Sequence, residues 1–280
     1  MAYGDRRLLR ACCAVMVGGL IATGCSSGGE GEKPGGKGGT SATAAPTEAP
    51  AATPTPTPTA FDFTPDPKRA PKTEAEARRL ALAVVAGPDA WGPEYVKRSP
   101  YLSDPEYWPV LDETCSWETG SRPPTVLYSV TAYSEIPAAG GKGNLRVAST
   151  VTVHRTATDA DWEMASTLEE ALRCPDQQLR AGERISGLIS VGNAFGRDGM
   201  YTAEDSLGER GFYERDDVKG KQQYGWTQSR IGQVTVAVVV KGAPGYAETA
   251  TATTTGTIQP QVNALVTMLN RVKEQLEVQS

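Results

Sequence analysis

The chain has one histidine, His154, and few of the residue patterns that carry catalysis. It contains no HExxH, GxSxG or SxxK motif and no phosphate-binding P-loop, which excludes the hydrolase and nucleotide-binding classes those motifs mark. Gly140-Gly141-Lys142-Gly143 and Gly192-Asn193-Ala194-Phe195-Gly196 are glycine-rich but lack the phosphate-cradling spacing. Carboxylates are scattered. The pairs Glu204-Asp205 and Asp216-Asp217 are adjacent, so they point to opposite strand faces or sit in turns. No metal set is legible, no cofactor is implied and no catalytic residue is assigned. Outside the first 24 residues no apolar run approaches the roughly 20 residues of a transmembrane helix. A basic surplus is missing too. The formal net charge is −5, and nucleic-acid binding needs a basic face.

What is present begins at the N-terminus. Arg6, Arg7 and Arg10 precede an apolar stretch from Ala11 to Ile21, followed by Ala22-Thr23-Gly24-Cys25. A charged region, a short apolar region and a small-residue cleavage site make a secretory signal. Small residues running directly into Cys25 resemble the lipobox of bacterial lipoproteins. The resemblance implies cleavage after residue 24, a diacylglyceryl group on the Cys25 thiol and a protein lipid-anchored to the extracytoplasmic face of the cell membrane. Acylation with more than one chain gives stable anchoring. An ordinary signal peptide with a chance cysteine is the alternative. Arg6-Arg7 is compatible with twin-arginine export, although basic regions often carry such pairs. Loss of the signal, with its three Arg and one Asp, takes the net charge from −5 to −7.

Five cysteines then sort by position. Cys12 and Cys13 leave with the signal and Cys25 takes lipid. Cys115 and Cys174 remain as an even pair in an oxidising compartment, which reads as one disulfide. Closing that loop is worth about 4 kcal/mol in the chain-entropy model. The rival reading, a catalytic or metal-binding cysteine, has no CxxC or Cys/His cluster behind it.

Residues 25–71 read as a tether, Gly/Ser-rich up to Gly39 and Ala/Thr/Pro-rich up to Thr53-Pro54-Thr55-Pro56-Thr57-Pro58-Thr59. Such a segment has too little apolar surface to offset the entropy of ordering. As a coil it would span roughly 35–40 Å. Its Thr/Pro part is open to O-glycosylation.

Residues 72–280 read as a single α+β domain, an antiparallel sheet flanked by about three helices. Thr73-Glu74-Ala75-Glu76 forms a capping box before a helix that Gly87-Pro88 ends. Residues 88–124 lack periodicity and read as packed loop, with a short strand near Cys115. Residues 126–130 and 145–153 alternate with period two, as half-buried strands do. That phase places His154 on the wetter face with Arg146, Thr150 and Thr152, where its loss should change stability by no more than about 1 kcal/mol. A second helix is expected from Thr158, its cap, to Arg173, with an apolar face of Trp162, Ala165, Leu168 and Leu172. Short strands follow near 184–191, 199–205, 211–215, 221–229 and 233–241. Val234, Val236, Val238 and Val240 make the most apolar strand, expected at the sheet centre. Residues 242–258 are a loose connection. Pro260 should open a last helix striped by Val262, Leu265, Val266, Leu269, Val272 and Leu276.

The order of these elements, with Thr158-Asp159-Ala160-Asp161-Trp162 leading to Cys174 and Arg230-Ile231-Gly232-Gln233-Val234-Thr235-Val236 leading to the last helix, resembles a known family. It is similar to the extracellular sensor domain of actinobacterial PknH-type receptor kinases and of lipoproteins that share it, over about residues 73–278. The resemblance implies an antiparallel sheet flanked by helices, with a cleft for a ligand. Two departures stop residue-level transfer: this chain has cysteines for one disulfide where the family usually has two, and Trp162 lies a helix length upstream of Cys174. The expected function is therefore a non-catalytic, lipid-anchored ligand-binding or sensing domain of the cell envelope. Its ligand would be a small molecule or envelope protein, met at Trp117, Tyr128, Tyr133, Tyr224 and Trp226. The alternatives are an envelope hydrolase or transferase using carboxylates and His154, and a protein–protein adaptor at the outer membrane face.

Overall fold

The structure is a computed structural model that describes residues 61–194, 202–246 and 258–278. Cys25, the signal segment and residues 25–60 of the tether lie outside the described residues, as do residues 199–201 and most of the connection 242–258.

The fold is α+β, an eight-stranded antiparallel sheet curled into a half-barrel with four helices. Its core is a pair of meanders joined at their most apolar strands. The first comprises β1 (Val96–Leu102), β4 (Val126–Ile136) and β5 (Leu145–His154). The second comprises β10 (Val234–Lys241), β9 (Val218–Ile231), β8 (Asp205–Arg215), β7 (Glu183–Ala194) and β6 (Gln177–Arg180). The spatial order is β1-β4-β5-β10-β9-β8-β7-β6, so the valine strand β10 is central, as expected. It pairs with β5 through Val236 opposite Val151 and Val240 opposite Val147. A two-residue turn, Gly232-Gln233, links Ile231 to Val234, and Gly232 takes the positive φ such turns require. A separate two-stranded sheet holds β2 (Trp108–Leu111) and β3 (Trp117–Gly120).

One face of the large sheet is apolar and carries three helices. In α1 (Glu74–Val84) the capping box forms as expected: Glu76 N donates to Thr73 Oγ1 and Thr73 N donates to Glu76 Oε2. Its Ala77, Leu80, Ala81 and Val84 face inward at helical spacing. After α2 (Pro88–Trp91), the Trp91 indole N–H donates to Ser149 Oγ inside the core. The last helix, α4 (Ile258–Leu276), buries Ala264, Leu265, Met268, Leu269, Val272 and Leu276 against Val234, Val236, Val238 and Val240. Arg271 of α4 donates to the end carbonyls of α1 at Val84 and Val85, which ties the two helices together.

The other face carries α3 (Ala157–Arg173). Its placement changes several expectations. Thr156 rather than Thr158 is the cap, accepting from Asp159 N at 3.1 Å. The buried positions are Ala160, Met164 and Ala171, while Trp162 is 69% and Leu172 72% exposed. The apolar stripe expected at Trp162 and Leu172 therefore faces away from the sheet. Small residues allow α3 to lie close over the strands, so β5 and β10 are buried on both faces rather than one.

Other differences are local. The stretch 88–124 holds α2, β1, β2 and β3 rather than loop, because its strands are short and rich in Pro, Tyr and Trp without clean alternation. The edge strand β6 had no separate expectation, and the segments expected near 199–205 and 211–215 meet in the single strand β8. Pro260 sits in the first turn of α4 but not at its first position. Residues 61–71, expected in the tether, lie on the domain. Phe61 and Phe63 pack against the core, and Asp66 N donates to Leu276 O.

Candidate functional site

The α3-facing side of the sheet gathers charged side chains, glutamines and aromatics, whereas the opposite face is largely aliphatic with a few serines. Cross-strand register makes this a consequence of the sequence, because residues directly opposite share a face. One row runs Tyr133, Ala148, Val239, Trp226, Glu209 across β4, β5, β10, β9 and β8. The next runs Glu135, Arg146, Lys241, Tyr224. Three of the five aromatics expected to meet a ligand, Tyr133, Tyr224 and Trp226, thus lie on one face. Tyr128 does not join them. It is buried in the apolar core on the other side, where a bulge between Val126 and Tyr128 shifts the register. Trp117 lies on β3, outside the large sheet, and its indole N–H donates to Gln177 Oε1 at 2.8 Å.

The disulfide forms between Cys115 and Cys174, as expected, with their Cα atoms 5.5 Å apart. It fastens the end of α3 to the segment between β2 and β3. Gln178 N donates to Cys115 O at the same point, which brings β6 alongside. An open groove of about 510 Å³ follows, lined by Cys115, Gln177, Arg184, Ser186, Glu214 and Lys221 among others. Its two carboxylates are already committed, since Glu214 accepts from Arg184 and Ser186 and Asp176 accepts from Gly187 N. A second cavity of about 30 Å³ under α4, bordered by Ser206, Ser229 and Leu265, has the size of a single water.

His154 is where the expectation fails most clearly. It is 2% exposed, not on a wet face, because α3 covers it. Its Nε2 lies 2.6 Å from Glu163 Oε2, and the Thr235 hydroxyl donates to the same oxygen at 2.7 Å. No serine or cysteine hydroxyl or thiol is bonded to the ring among the described residues. The Glu163–His154–Thr235 set is thus a fastening of α3 to β5 and β10.

Two further carboxyls meet between α3 and the sheet, Glu170 on the helix and Glu209 on β8. Burial pushes Glu209 up to about 8, and the charge of Glu170 adds to it. Burial likewise pushes Glu170 up to about 7, against the pull of Arg173 and with the repulsion of Glu169 and Glu163. Glu209 is 6% exposed. Burial beneath α3 favours the protonated form of both acids, Glu209 more than Glu170.

A cationic cluster surrounds Glu183. Its Oε1 accepts from Arg146 NH1 at 3.1 Å and from Arg180 NH2, and its Oε2 is 4.0 Å from Lys241 Nζ. The Tyr213 hydroxyl faces the same carboxyl. Burial alone would raise Glu183, but the Arg180 bond, the Tyr213 hydroxyl and the charges of Lys241 and Arg180 hold it at about 2. Burial pulls Lys241 down to about 8, opposed by Glu183 and reinforced by Arg180, Arg146 and Arg98. Arg98 stacks on Tyr133 with its guanidinium carbon 5.3 Å from the ring centre. Several buried polar atoms on this face have no protein partner: Arg146 Nε, Ser190 Oγ, Trp226 Nε1 and Gln228 Oε1. Folded interiors leave few such groups. The sequence signalled the aromatics through strand alternation, but not Glu170, Glu209, Glu183 or Lys241, whose partners lie on distant strands. No group of acidic, His or Cys side chains able to hold a metal occurs among the described residues.

No family model and no curated protein matches the chain. Among solved structures, the chain is similar to an uncharacterized protein from Mycobacterium smegmatis, the Rv0999 ortholog. The identity is 12% and the TM-score 0.32, over 66% of this chain and 92% of that one. An overlap that slight carries no argument about function. No helix among the described residues is long and apolar enough to cross a membrane. The disulfide fits an extracytoplasmic, oxidising compartment.

Proposed function

We propose that the chain is a lipoprotein held by lipid on Cys25, whose folded domain is a non-catalytic ligand-binding or sensing module of the cell envelope, of the kind found in PknH-type receptors. The observation that carries this reading is the polar face of the sheet. There Tyr133, Tyr224 and Trp226 share a surface with Arg146 and Lys241, and several buried polar atoms lack protein partners. Binding sites combine apolar and aromatic walls with a few placed polar groups, as this face does. The hydrolase alternative is weaker. His154 is spent on Glu163, and Glu209 is covered by α3, so neither is offered to a substrate.

Two measurements test the proposal. Protein isolated from its own envelope, examined by native mass spectrometry, should retain a small molecule that Trp226→Ala releases. Homogeneous apo mass in every preparation would overturn the binding reading. Separately, Cys25→Ala should abolish lipid labelling and free the protein from membranes. Unchanged detergent-phase partitioning would overturn the anchor.

A further inference from the structure

Lys241 is a cation held by one long ion pair. Its ammonium makes no hydrogen bond among the described residues, and the nearest carboxylate oxygen, Glu183 Oε2, is 4.0 Å away. Beneath it is the ring of Tyr213, with the ammonium 5.4 Å from the ring centre. Arg146, directly opposite on β5, has a buried Nε without a partner. The local charges do not balance. Arg146, Arg180 and Lys241 converge on one carboxylate, Glu183, whose Oε1 is already taken twice, and the charge of Arg98 is felt at Lys241 as well. The acid in the row of Arg146 and Lys241, Glu135, accepts from Asn144 Nδ2 at 3.0 Å. Like charges this close repel unless an anion screens them, and partial burial strengthens the effect. The side chains of Arg146 and Lys241 are 20% and 28% exposed, so the cluster is reachable from solvent. No hydrogen bond or ion pair joins α3 to any of the four cations among the described residues.

We propose that Arg146 and Lys241, flanked by Arg98 on Tyr133, form a binding site for an oxyanion, a phosphate group being the fitting chemistry. An arginine fork beside a lysine point charge is an arrangement suited to such a group, because both donors are charged and the fork fixes its orientation. Glu183 sets the spacing of the cations and leaves a net positive corner. The proposal rests on the binding reading above and names the chemistry of its ligand.

The test titrates the mature protein with inorganic phosphate by calorimetry, with a parallel arm of phosphatidylglycerol vesicles against phosphatidylcholine vesicles. The two arms separate a free phosphate compound from a lipid headgroup as the source. Saturable binding is expected in one arm. Lys241→Met should weaken it by about tenfold, the effect of removing one charge-assisted contact. Lys241→Arg should retain it. Lys97→Met, one residue from Arg98 but on the opposite side of β1, should leave it unchanged. Arg146→Gln provides a second variant should Lys241→Met fail to fold. Absence of binding in both arms, or equal affinity in Lys241→Met, Arg146→Gln and the native chain, overturns the site. A neutral molecule retained by the native protein, together with no phosphate binding, overturns this assignment while the binding reading stands.

Discussion

The two faces of the sheet solve the same packing problem with different materials. Against α1 and α4 the strands present Val147, Val151, Val153, Val234, Val236, Val238 and Val240, and the helices answer with Leu, Met and Ala. Against α3 they present Thr, Gln, Arg, Lys and aromatics, and the helix answers with Ala160, Met164, Ala171, Glu163 and Glu170. On that side the apolar cluster shrinks to Ala171, Ile185 and Leu188, with Leu179 and Tyr224 beside it. The first face is fastened by area removed from water, which is non-directional and tolerant. The second is fastened by a disulfide, a buried carboxylate–histidine contact and charge pairs, each of which depends on geometry. A surface built in the second way stores unpaired polar groups, and those are what a ligand can exchange for water.

The comparison is sharpened most by cutting the staple of the polar face. Cys115→Ser with Cys174→Ser should lower stability by roughly 4 kcal/mol, the loop-closure value, read as a lower urea midpoint. Equal midpoints in oxidised and mutant protein would show that α3 holds without the bond. On the apolar face, Leu269→Ala should cost about 3 kcal/mol, because a 2% exposed side chain leaves a cavity against the valine strands. A loss below about 1 kcal/mol there would mean the face repacks.

The faces should also differ in their response to pH. Glu209 titrates at about 8 in the fold against an ordinary 4.5. Between those values the folded protein keeps a proton that the unfolded chain has released. Stability from this group is therefore greatest at the acid side of the window and falls as pH rises towards 8. Glu209→Gln should remove most of that fall and raise stability at pH 8 by about 2–3 kcal/mol. Thermal melts of both proteins at pH 5.5 and pH 8 would show it. Parallel pH curves would put the carboxyl in water.

His154→Ala should lower stability by about 2 kcal/mol, more than strand phase alone suggests, since it empties a buried site and removes a partner of Glu163. Trp162→Ala, next to Glu163 on α3 but turned to solvent, should change it by less than about 0.5 kcal/mol. Similar losses at both positions would mean that the covered face of α3 has been misassigned.

How much of this was legible varies by element. The capping box at Thr73, the hairpin β4–β5, the turn at Gly232, the central place of β10 and the Cys115–Cys174 bond all follow from local spacing or from the count of cysteines. The strands between residues 96 and 120 were hidden because Pro, Trp and Tyr interrupt their alternation. The covered face of α3 was misread for a definite reason. Hydrophobicity favoured Trp162 and Leu172, whereas close packing on the sheet favoured Ala160, Met164 and Ala171.

The sequence by itself determined helices α1, α3 and α4, the hairpin β4–β5, the valine core and the pairing of the two cysteines, because each depends on neighbours within a few residues or on elimination. Only the tertiary structure decided what His154, Glu209, Glu183 and Lys241 are. An isolated strand is half-wet by alternation, and α3 folding across it turns that wet face into an interior. The charge of a buried group then depends on partners 37 to 58 residues away in the chain: Glu170 for Glu209, Arg146 and Lys241 for Glu183. No local pattern encodes those distances. Packing set them when the second meander closed β10 against β5.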